Sequence, residues 1–201
     1  MNRRGCYIVG ILLCMMVQCF FCSGSSAAIG SSSMPKLIPI SGYTVDEFYH
    51  EIKNANEHGD LNFSISGLQK LEFANEGSYN NYVFTAGGGD AQEMTIVSVY
   101  TNRNGYVAKI LLSSLAEAPQ AKLASYKLEE VILEVLGIER SRVKNFMSDI
   151  LARDIPFCVG LWTERNEKNI TVSHGLDSNK PSIFIIKLTA YDKVFTQERN
   201  D

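Results

Sequence analysis

Cysteine is almost absent from this sequence beyond residue 22. The chain has 201 residues and five cysteines, of which four lie within residues 1–22 and the fifth is Cys158. A disulfide-stapled scaffold or a cysteine-rich zinc module needs cysteines distributed through its folded part, so both classes are excluded. The folded chain must therefore be held together by a hydrophobic core.

An excess of positive charge is also lacking, since the formal net charge is -3. A nucleic-acid-binding surface needs clustered lysine and arginine, so we expect no nucleic-acid partner. The glycine run 87–89 is not followed by the Lys-Ser/Thr of a phosphate loop, and no G-x-S-x-G motif occurs. His50 and His58 have no Cys or His partner at metal-ligand spacing. We therefore predict no catalytic residue, no metal and no cofactor.

The long uncharged segment of the chain lies at its amino terminus. Arg3 and Arg4 precede an apolar stretch over 7–21, and small residues fill 23–28. A basic start, an apolar stretch and a small-residue cleavage site are typical of a secretory signal peptide, which we assign to residues 1–27. The stretch is shorter than the roughly 20 residues of a membrane span, although an uncleaved anchor is an alternative. We expect a secreted, periplasmic or cell-envelope location.

The rest of the chain divides by composition. Residues 28–42 combine a Ser/Gly run with two prolines and have no apolar period, which predicts a flexible linker. Regular apolar patterns extend over residues 43–191, a length suited to one domain with its own core. Residues 192–201 form a polar tail.

Three helices are indicated by their periods and end signals. Thr44 begins a capping box, the apolar residues after it recur at helical spacing, and Gly59 follows as a stop. Two further stripes lie in the middle of the chain, one ending at Gly137 and the other before Pro156. These two predict an αα-hairpin, with the apolar positions Leu128, Val131, Ile132, Val135 and Leu136, and then Val143, Phe146, Met147, Ile150 and Leu151.

Turn residues predict three β-hairpins whose registers place apolar residues on one face. The predicted pairs are Leu71 with Phe84 and Phe73 with Tyr82 around Gly77-Ser78, then Thr101 with Ala108, Val99 with Ile110 and Val97 with Leu112 around Asn104-Gly105, and finally Thr163 with Val172, Leu161 with His174 and Val159 with Leu176 around 166–169. The apolar run 183–186 predicts a last strand, covered on both sides. The fold class is therefore α+β, an antiparallel sheet of hairpins with an N-terminal helix and a central αα-hairpin packed on it, in the order α-ββββ-αα-βββ.

Four residues of the third hairpin are candidates for a ligand site. His174 is predicted on the apolar face, where burial disfavours a charged imidazolium, and a core histidine is the simpler interpretation than a catalytic one. Trp162 is predicted on the opposite face, with Gly160 and Gly175 facing each other one step away. Two glycines beside an aromatic ring would leave a shallow depression that admits a ligand, or that lets a helix pack closely.

Other polar residues have simpler interpretations. Glu129, Glu130 and Glu134 are predicted on the solvated side of their helix. Asn62 and Asn169 begin N-glycosylation sequons, which matter only if the secretory route is eukaryotic.

The leading hypothesis for function is an exported, non-enzymatic binding protein. Its partner would be another protein or a component of the cell envelope, and a membrane would be involved only if the N-terminal segment is retained. The competing hypothesis is a small secreted enzyme that uses His174 with a carboxylate. An open cleft around His174 would favour the enzyme, and a closed apolar setting would favour the binding protein.

Overall fold

A computed structural model describes residues 37–59, 61–71, 79–88, 93–152, 157–163 and 168–191. The helices are α1 (Val45–His58), α2 (Pro119–Val135) and α3 (Arg140–Leu151). The strands are β1 (Leu37–Ile38), β2 (Ser64–Ile65), β3 (Gln69–Leu71), β4 (Asn80–Gly87), β5 (Met94–Thr101), β6 (Val107–Leu115), β7 (Phe157–Thr163), β8 (Lys168–Leu176) and β9 (Ile183–Tyr191). The predicted α+β class is confirmed. The proposed signal segment and the polar tail lie outside the described residues.

The nine strands within the described ranges belong to one antiparallel sheet. The order is β2-β4-β5-β6-β9-β8-β7, with β1 beside β9 and β3 beside β4. Side chains of α2 bond to Thr95, Ser114 and His174, so we call the side of the sheet that carries these residues the helix face. Alternation along the strands then places Leu111, Lys187 and their neighbours on the other side, which we call the open face.

The hydrophobic core lies between the three helices and the helix face. It is one cluster that includes Phe48 and Ile52 of α1, Ile132 of α2 and Phe146 of α3, packed on residues such as Leu112 of the sheet. Burial of these apolar side chains is the main stabilising contribution to the fold. None of the helices in the described ranges is both long and apolar enough to span a bilayer.

The first helix follows its prediction closely. The Thr44 hydroxyl accepts a hydrogen bond from the Glu47 backbone N–H, and the Glu47 carboxylate accepts one from the Thr44 backbone N–H at 2.8 Å. This reciprocal capping box satisfies two backbone donors that the first turn would otherwise leave unpaired. Gly59 follows the last helical residue, and a Cβ there would lie 2.6 Å from the Ala55 carbonyl oxygen. The close approach explains why glycine stands at this end.

The predicted αα-hairpin is also present, but α2 begins well before its apolar stripe. Pro119 occupies the first turn of α2, where a backbone N–H would have no acceptor within the helix, so the absence of this group in proline costs no hydrogen bond. At the other end Gly137 has a φ of 88°, and the Ile138 N–H donates to the Leu133 carbonyl at 3.1 Å. Such a left-handed residue ends a helix and turns the chain into α3.

The second part of the predicted linker belongs to the folded domain, which corrects the boundary at residue 42. Leu37 and Ile38 pair with the end of β9, and the Ile40 N–H donates to the Val107 carbonyl at 2.8 Å. Ile40 is fully buried in the core. The sequence does not predict this strand, because an apolar segment of so few residues beside two prolines is too short to show a helix or strand period.

The hairpin of β5 and β6 confirms most of its predicted register. Val99 pairs with Ile110 and Val97 with Leu112, as expected. Thr101, however, pairs with Val107, because the register shifts by one residue after Tyr100. The Asn102 side chain accepts hydrogen bonds from the Asn104 and Tyr106 backbone N–H groups, both at 3.0 Å, so the loop is longer than a two-residue turn.

The other two predicted registers are wrong. Leu71 pairs with Asn81 rather than with Phe84, and the connection from β3 to β4 spans 72–79. Phe73 and the Gly77-Ser78 turn lie outside the described residues. In the third hairpin Leu161 pairs with Ile170, and His174 pairs with Phe157. This second shift is four residues, an even number, so each side chain keeps its predicted face.

The strand predicted over 183–186 is longer than its apolar run and lies between β6 and β8. Phe184, Ile186 and Leu188 of β9 are fully buried on the helix face. On the open face Ile183 is buried, but Ile185 is only half-buried. The expected cover is therefore complete on one side and partial on the other.

Candidate functional site

A histidine and a glutamate meet inside the protein, between α2 and β8. The Nε2 atom of His174 lies 2.7 Å from Oε1 of Glu129, and both side chains are completely shielded from solvent. The expected burial of His174 is thus observed, whereas the expected solvated position of Glu129 is wrong. Glu129 shares the helix side of Leu128, Ile132 and Leu133, and that side packs on the sheet.

Aromatic rings close the space around this pair. The Tyr126 ring stacks on the His174 imidazole, with centroids 5.6 Å apart and planes at 22°. Phe184 meets both rings edge-on, at 5.5 Å from Tyr126 and 5.9 Å from His174. The Lys122 ammonium lies 5.1 Å from the centre of the Phe184 ring. The pair therefore sits in a closed and largely aromatic setting rather than in an open cleft.

Burial controls the electrostatics of Glu129. It raises the pKa of this carboxyl above its ordinary value of 4.5, and the hydrogen bond from His174 opposes the rise. The other carboxylate oxygen, Oε2, has no hydrogen-bond partner among the described residues. If Glu129 were ionised, one of its two charged oxygens would therefore be buried without a hydrogen bond. Burial also raises the pKa of the neighbouring Tyr126 phenol, and the charge of Glu129 adds to that rise.

The raised pKa of Glu129 predicts a specific pH dependence of stability. The folded protein keeps this proton at pH values where the unfolded chain has released it. The stabilisation is therefore full below about pH 4.5 and is lost as the pH rises through the folded value, with a limiting slope of about 1.4 kcal/mol per pH unit. Urea unfolding at a series of pH values, for the protein and for Glu129→Gln, measures the difference. A protein that becomes more stable relative to Glu129→Gln as the pH rises would contradict the raised pKa.

A second polar cluster joins α2 to the sheet one helical turn earlier. The Ser125 hydroxyl lies 2.9 Å from the hydroxyls of both Thr95 and Ser114, and it donates to the Ala121 carbonyl at 3.0 Å. The three hydroxyl residues are buried. Sequence reasoning missed this cluster, because isolated serines and threonines have no pattern that marks them as partners. Ser125 stands four residues before Glu129, so both polar contacts hold the same side of α2.

The four predicted site residues are not brought together. Trp162 pairs with Asn169, Gly160 pairs with Thr171, and Gly175 pairs with Ile185 of β9. The two glycines therefore do not face each other, and the depression predicted from them is wrong. The error follows from the register, since moving β7 by four residues along β8 separates positions that were expected to be opposite.

Gly160 also lacks the empty space assigned to it. A Cβ at this position would lie 2.9 Å from both the oxygen and the nitrogen of the Asn169 carboxamide. We expect Gly160→Ala to destabilise the protein by about 1 kcal/mol, because the amide must move away. In the Asn169→Ala background the same substitution should be neutral or stabilising, since alanine suits a strand better than glycine. Urea unfolding of the four proteins in this cycle measures the coupling, and additive effects would contradict it.

Cys158 is exposed on the open face of the sheet. It pairs with Ser173, the residue before His174, so the thiol and the imidazole point to opposite sides of the sheet. The two cannot act together as a nucleophile and its base. No group of three or more His, Cys, Asp or Glu side chains within the described ranges could hold a metal ion.

The open face contains a groove of about 330 Å³ formed by β6, β8, β9 and the turn after β8. Leu111 and Ile185 give it apolar lining, and Lys109 and Lys187 line it as well. Asp177 also lines it, but its carboxylate accepts hydrogen bonds from the backbone N–H groups of Asn179 and Lys180 in the adjoining turn. Of the four predicted site residues, Gly175 and His174 border the groove, although the His174 ring lies on the other face.

A larger groove of about 750 Å³ separates α1 from α2. Its charges are mixed, with Glu51 and Glu130 opposite in sign to Lys127 and Arg140. Arg140 forms an ion pair with Glu134 at 3.3 Å on the same rim. This lining has no preference for one sign of ligand charge.

Comparisons with known proteins add no further assignment. No family model, no curated protein and no solved structure matches this chain.

Proposed function

We propose that this chain is an exported binding protein that holds an acidic segment of a partner protein on the open face of its sheet. The observation that carries the proposal is the complete burial of the Glu129–His174 pair. A general base must come within hydrogen-bond distance of its substrate, and this imidazole lies beneath α2, Tyr126 and Phe184. The residue pair best suited to catalysis is thus enclosed, whereas the groove on the open face of the sheet is accessible.

Export is supported by the amino-terminal pattern. Arg3 and Arg4, the apolar stretch over 7–21 and the small residues that follow match a cleavable leader. Loss of residues 1–27 removes two positive charges and no negative one, which changes the formal net charge from -3 to -5. Cys158 would then be the single thiol of the mature chain, consistent with a fold that relies on its core.

The charge and shape of the open-face groove support the partner's chemistry. The Lys109 ammonium is held 4.3 Å from the centre of the Tyr100 ring, and Lys187 lines the same groove from β9. The two ammonium groups outnumber the one carboxylate of the lining, Asp177, which accepts hydrogen bonds from backbone amides of its own turn, so the groove prefers a negatively charged ligand. Leu111, which pairs with Lys187, and Ile185, two residues before Lys187 on β9, provide apolar contact beside these ammonium groups. An extended segment with alternating acidic and apolar side chains complements this surface.

The enzyme hypothesis keeps one supporting observation, the 2.7 Å contact between His174 and Glu129. That arrangement resembles a base and its orienting carboxylate. It would require α2 to move away from the sheet before a substrate could reach the imidazole. The membrane-tethered alternative depends only on whether residues 1–27 are retained.

Export is tested by the intact mass of the chain recovered from a secretory host. We expect the protein in the medium or periplasm, lacking residues 1–27 or 1–28. A charge within the apolar stretch, as in Leu13→Asp, should block export, and Ser32→Asp in the linker should not. A full-length chain in the cytosol would refute export, and a full-length chain in the membrane pellet would identify a tethered module.

The groove is tested with a fluorescein-labelled peptide of alternating glutamate and leucine, titrated by fluorescence anisotropy. Reversing both charges in Lys109→Glu/Lys187→Glu should weaken binding by about tenfold, because two attractive contacts become repulsive. Lys127→Glu/Lys144→Glu, at exposed positions of α2 and α3 outside this groove, changes the net charge by the same four units and should leave the affinity near that of the unaltered protein. Equal effects of the two variants would rule out the groove.

A further inference from the structure

The two N-glycosylation sequons of this chain occupy very different positions in the fold. Asn62-Phe63-Ser64 lies between α1 and β2, and Asn169-Ile170-Thr171 lies within β8. We propose that Asn62 is a site of N-linked glycosylation and that Asn169 is not. This inference rests on the proposed export, and it applies where export proceeds through the endoplasmic reticulum.

The backbone presents Asn62 to solvent. Its φ of 51° is in the left-handed region, which asparagine tolerates better than most residues and which is typical of a tight turn. The side chain of Asn56 holds the next residue at both backbone groups, with its amide donating to the Phe63 carbonyl and its oxygen accepting from the Phe63 N–H, each at 3.0 Å. Phe63 packs against the core, while Asn62 and Ser64 are exposed. Both polar residues of the sequon are therefore accessible in the folded chain.

The surface beside Asn62 suits a sugar. Asn62 borders a groove of about 250 Å³ that also contains Leu123, whose side chain is 46% exposed on α2. Gln120, Glu93 and Lys127 line the same groove and offer hydrogen-bond donors and acceptors. A hexosamine has an apolar ring face and a rim of hydroxyl and amide groups. The first sugar attached at Asn62 can thus cover Leu123 while its polar groups meet these side chains.

Asn169 has the opposite setting. It is half-buried in β8, and its carboxamide occupies the space beside Gly160 that a side chain would fill. The hydroxyl residue of this sequon, Thr171, pairs with Gly160 on one side and with Thr189 on the other. A sugar on the Asn169 amide would have to be placed where this side chain packs across β7. The hairpin therefore disfavours attachment at the second sequon.

The transfer forms one bond and breaks one. The Asn62 Nδ2 atom loses a proton and forms a C–N bond to the anomeric carbon of an oligosaccharide, whose bond to the diphosphate of its lipid-linked donor breaks. No oxidation or reduction takes place. The charge of the side chain is unchanged, so the modification adds bulk and hydrogen-bonding groups without altering the net charge.

The test uses the full chain expressed in a eukaryotic secretory cell, with intact mass measured before and after peptide N-glycosidase. We expect one glycan, which is lost in Asn62→Gln and in Ser64→Ala and kept in Asn169→Gln. Peptide mass analysis after deglycosylation should find aspartate at position 62. A secreted chain without a glycan, or one that carries it at Asn169, would overturn the proposal.

A second arm separates this inference from the proposed export. Residues 1–28 are replaced by a leader known to direct secretion, so that the sequons enter the endoplasmic reticulum whatever the native segment does. A glycan at Asn62 in this arm, together with a cytosolic full-length native chain, supports the glycosylation site and refutes export. Absence of the glycan in this arm refutes the site alone.

Discussion

Glu129→Ala is expected to destabilise the protein by about 3–5 kcal/mol, because it removes one partner of a completely buried pair and leaves His174 in an apolar space. The substitution also removes side-chain volume from the packed interface between α2 and the sheet. Urea unfolding followed by far-UV circular dichroism measures the change in the free energy of unfolding.

The matched control replaces both partners with apolar residues. Glu129→Met/His174→Leu keeps most of the volume and removes both polar groups, so its stability should be close to that of the unaltered protein or above it. The comparison separates a lost hydrogen bond from lost packing. A change below about 1 kcal/mol for Glu129→Ala, a size typical of surface substitutions, would show that the carboxyl is not buried as described.

Phe184→Ala should have an effect of similar size, about 3–5 kcal/mol. Phe184 is fully buried on β9, inside the sheet, and its ring contacts both Tyr126 and His174 edge-on. The substitution leaves a cavity and removes two aromatic contacts that add to the burial itself. Phe184→Leu fills most of the space and should be destabilising by about 1.5 kcal/mol or less. Thermal and urea unfolding of the two variants measure the effects, and equal losses would argue against specific aromatic packing.

The elements of the fold that the sequence predicts correctly are those determined by interactions between residues close together in the chain. The capping box at Thr44 needs only two side chains three residues apart, so it marks the start of α1 directly. The Asn104-Gly105 signal likewise predicts the pairing of Val99 with Ile110, because the longer loop and the one-residue shift after Tyr100 offset each other. Neither feature depends on contacts from distant parts of the chain, which is why both are legible in the sequence.

The register of a hairpin without an Asn-Gly turn signal is harder to predict. Alternation has a period of two, so a shift of four residues in the third hairpin leaves the apolar face intact and gives no sign of error. For this reason the sequence predicts the correct face for His174 but wrongly predicts that Gly160 and Gly175 face each other. The strand order is harder still, because β9 lies between β6 and β8 and only the folded chain brings these strands together.

The partner of His174 could have been found from helical spacing. Ser125 and Glu129 lie four residues apart on the buried side of α2, and each is four residues from a buried apolar residue of that side, Ala121 or Leu133. A carboxylate at such a position indicates a buried partner, and His174 is the one histidine predicted on the apolar face. What the sequence could not provide is the distance between them, since α2 and β8 are separated by α3 and β7 along the chain.

The central claim is that His174, the histidine with a carboxylate partner, is enclosed, and this burial supports the proposal that the protein binds rather than catalyses. Modification of the folded protein with diethyl pyrocarbonate, followed by peptide mass spectrometry, tests this directly because the chain has three histidines. His50 and His58 are exposed and should react, whereas His174 should react only after unfolding. Modification of His174 in the folded protein at the rate of the other two would contradict the claim and would favour the enzyme.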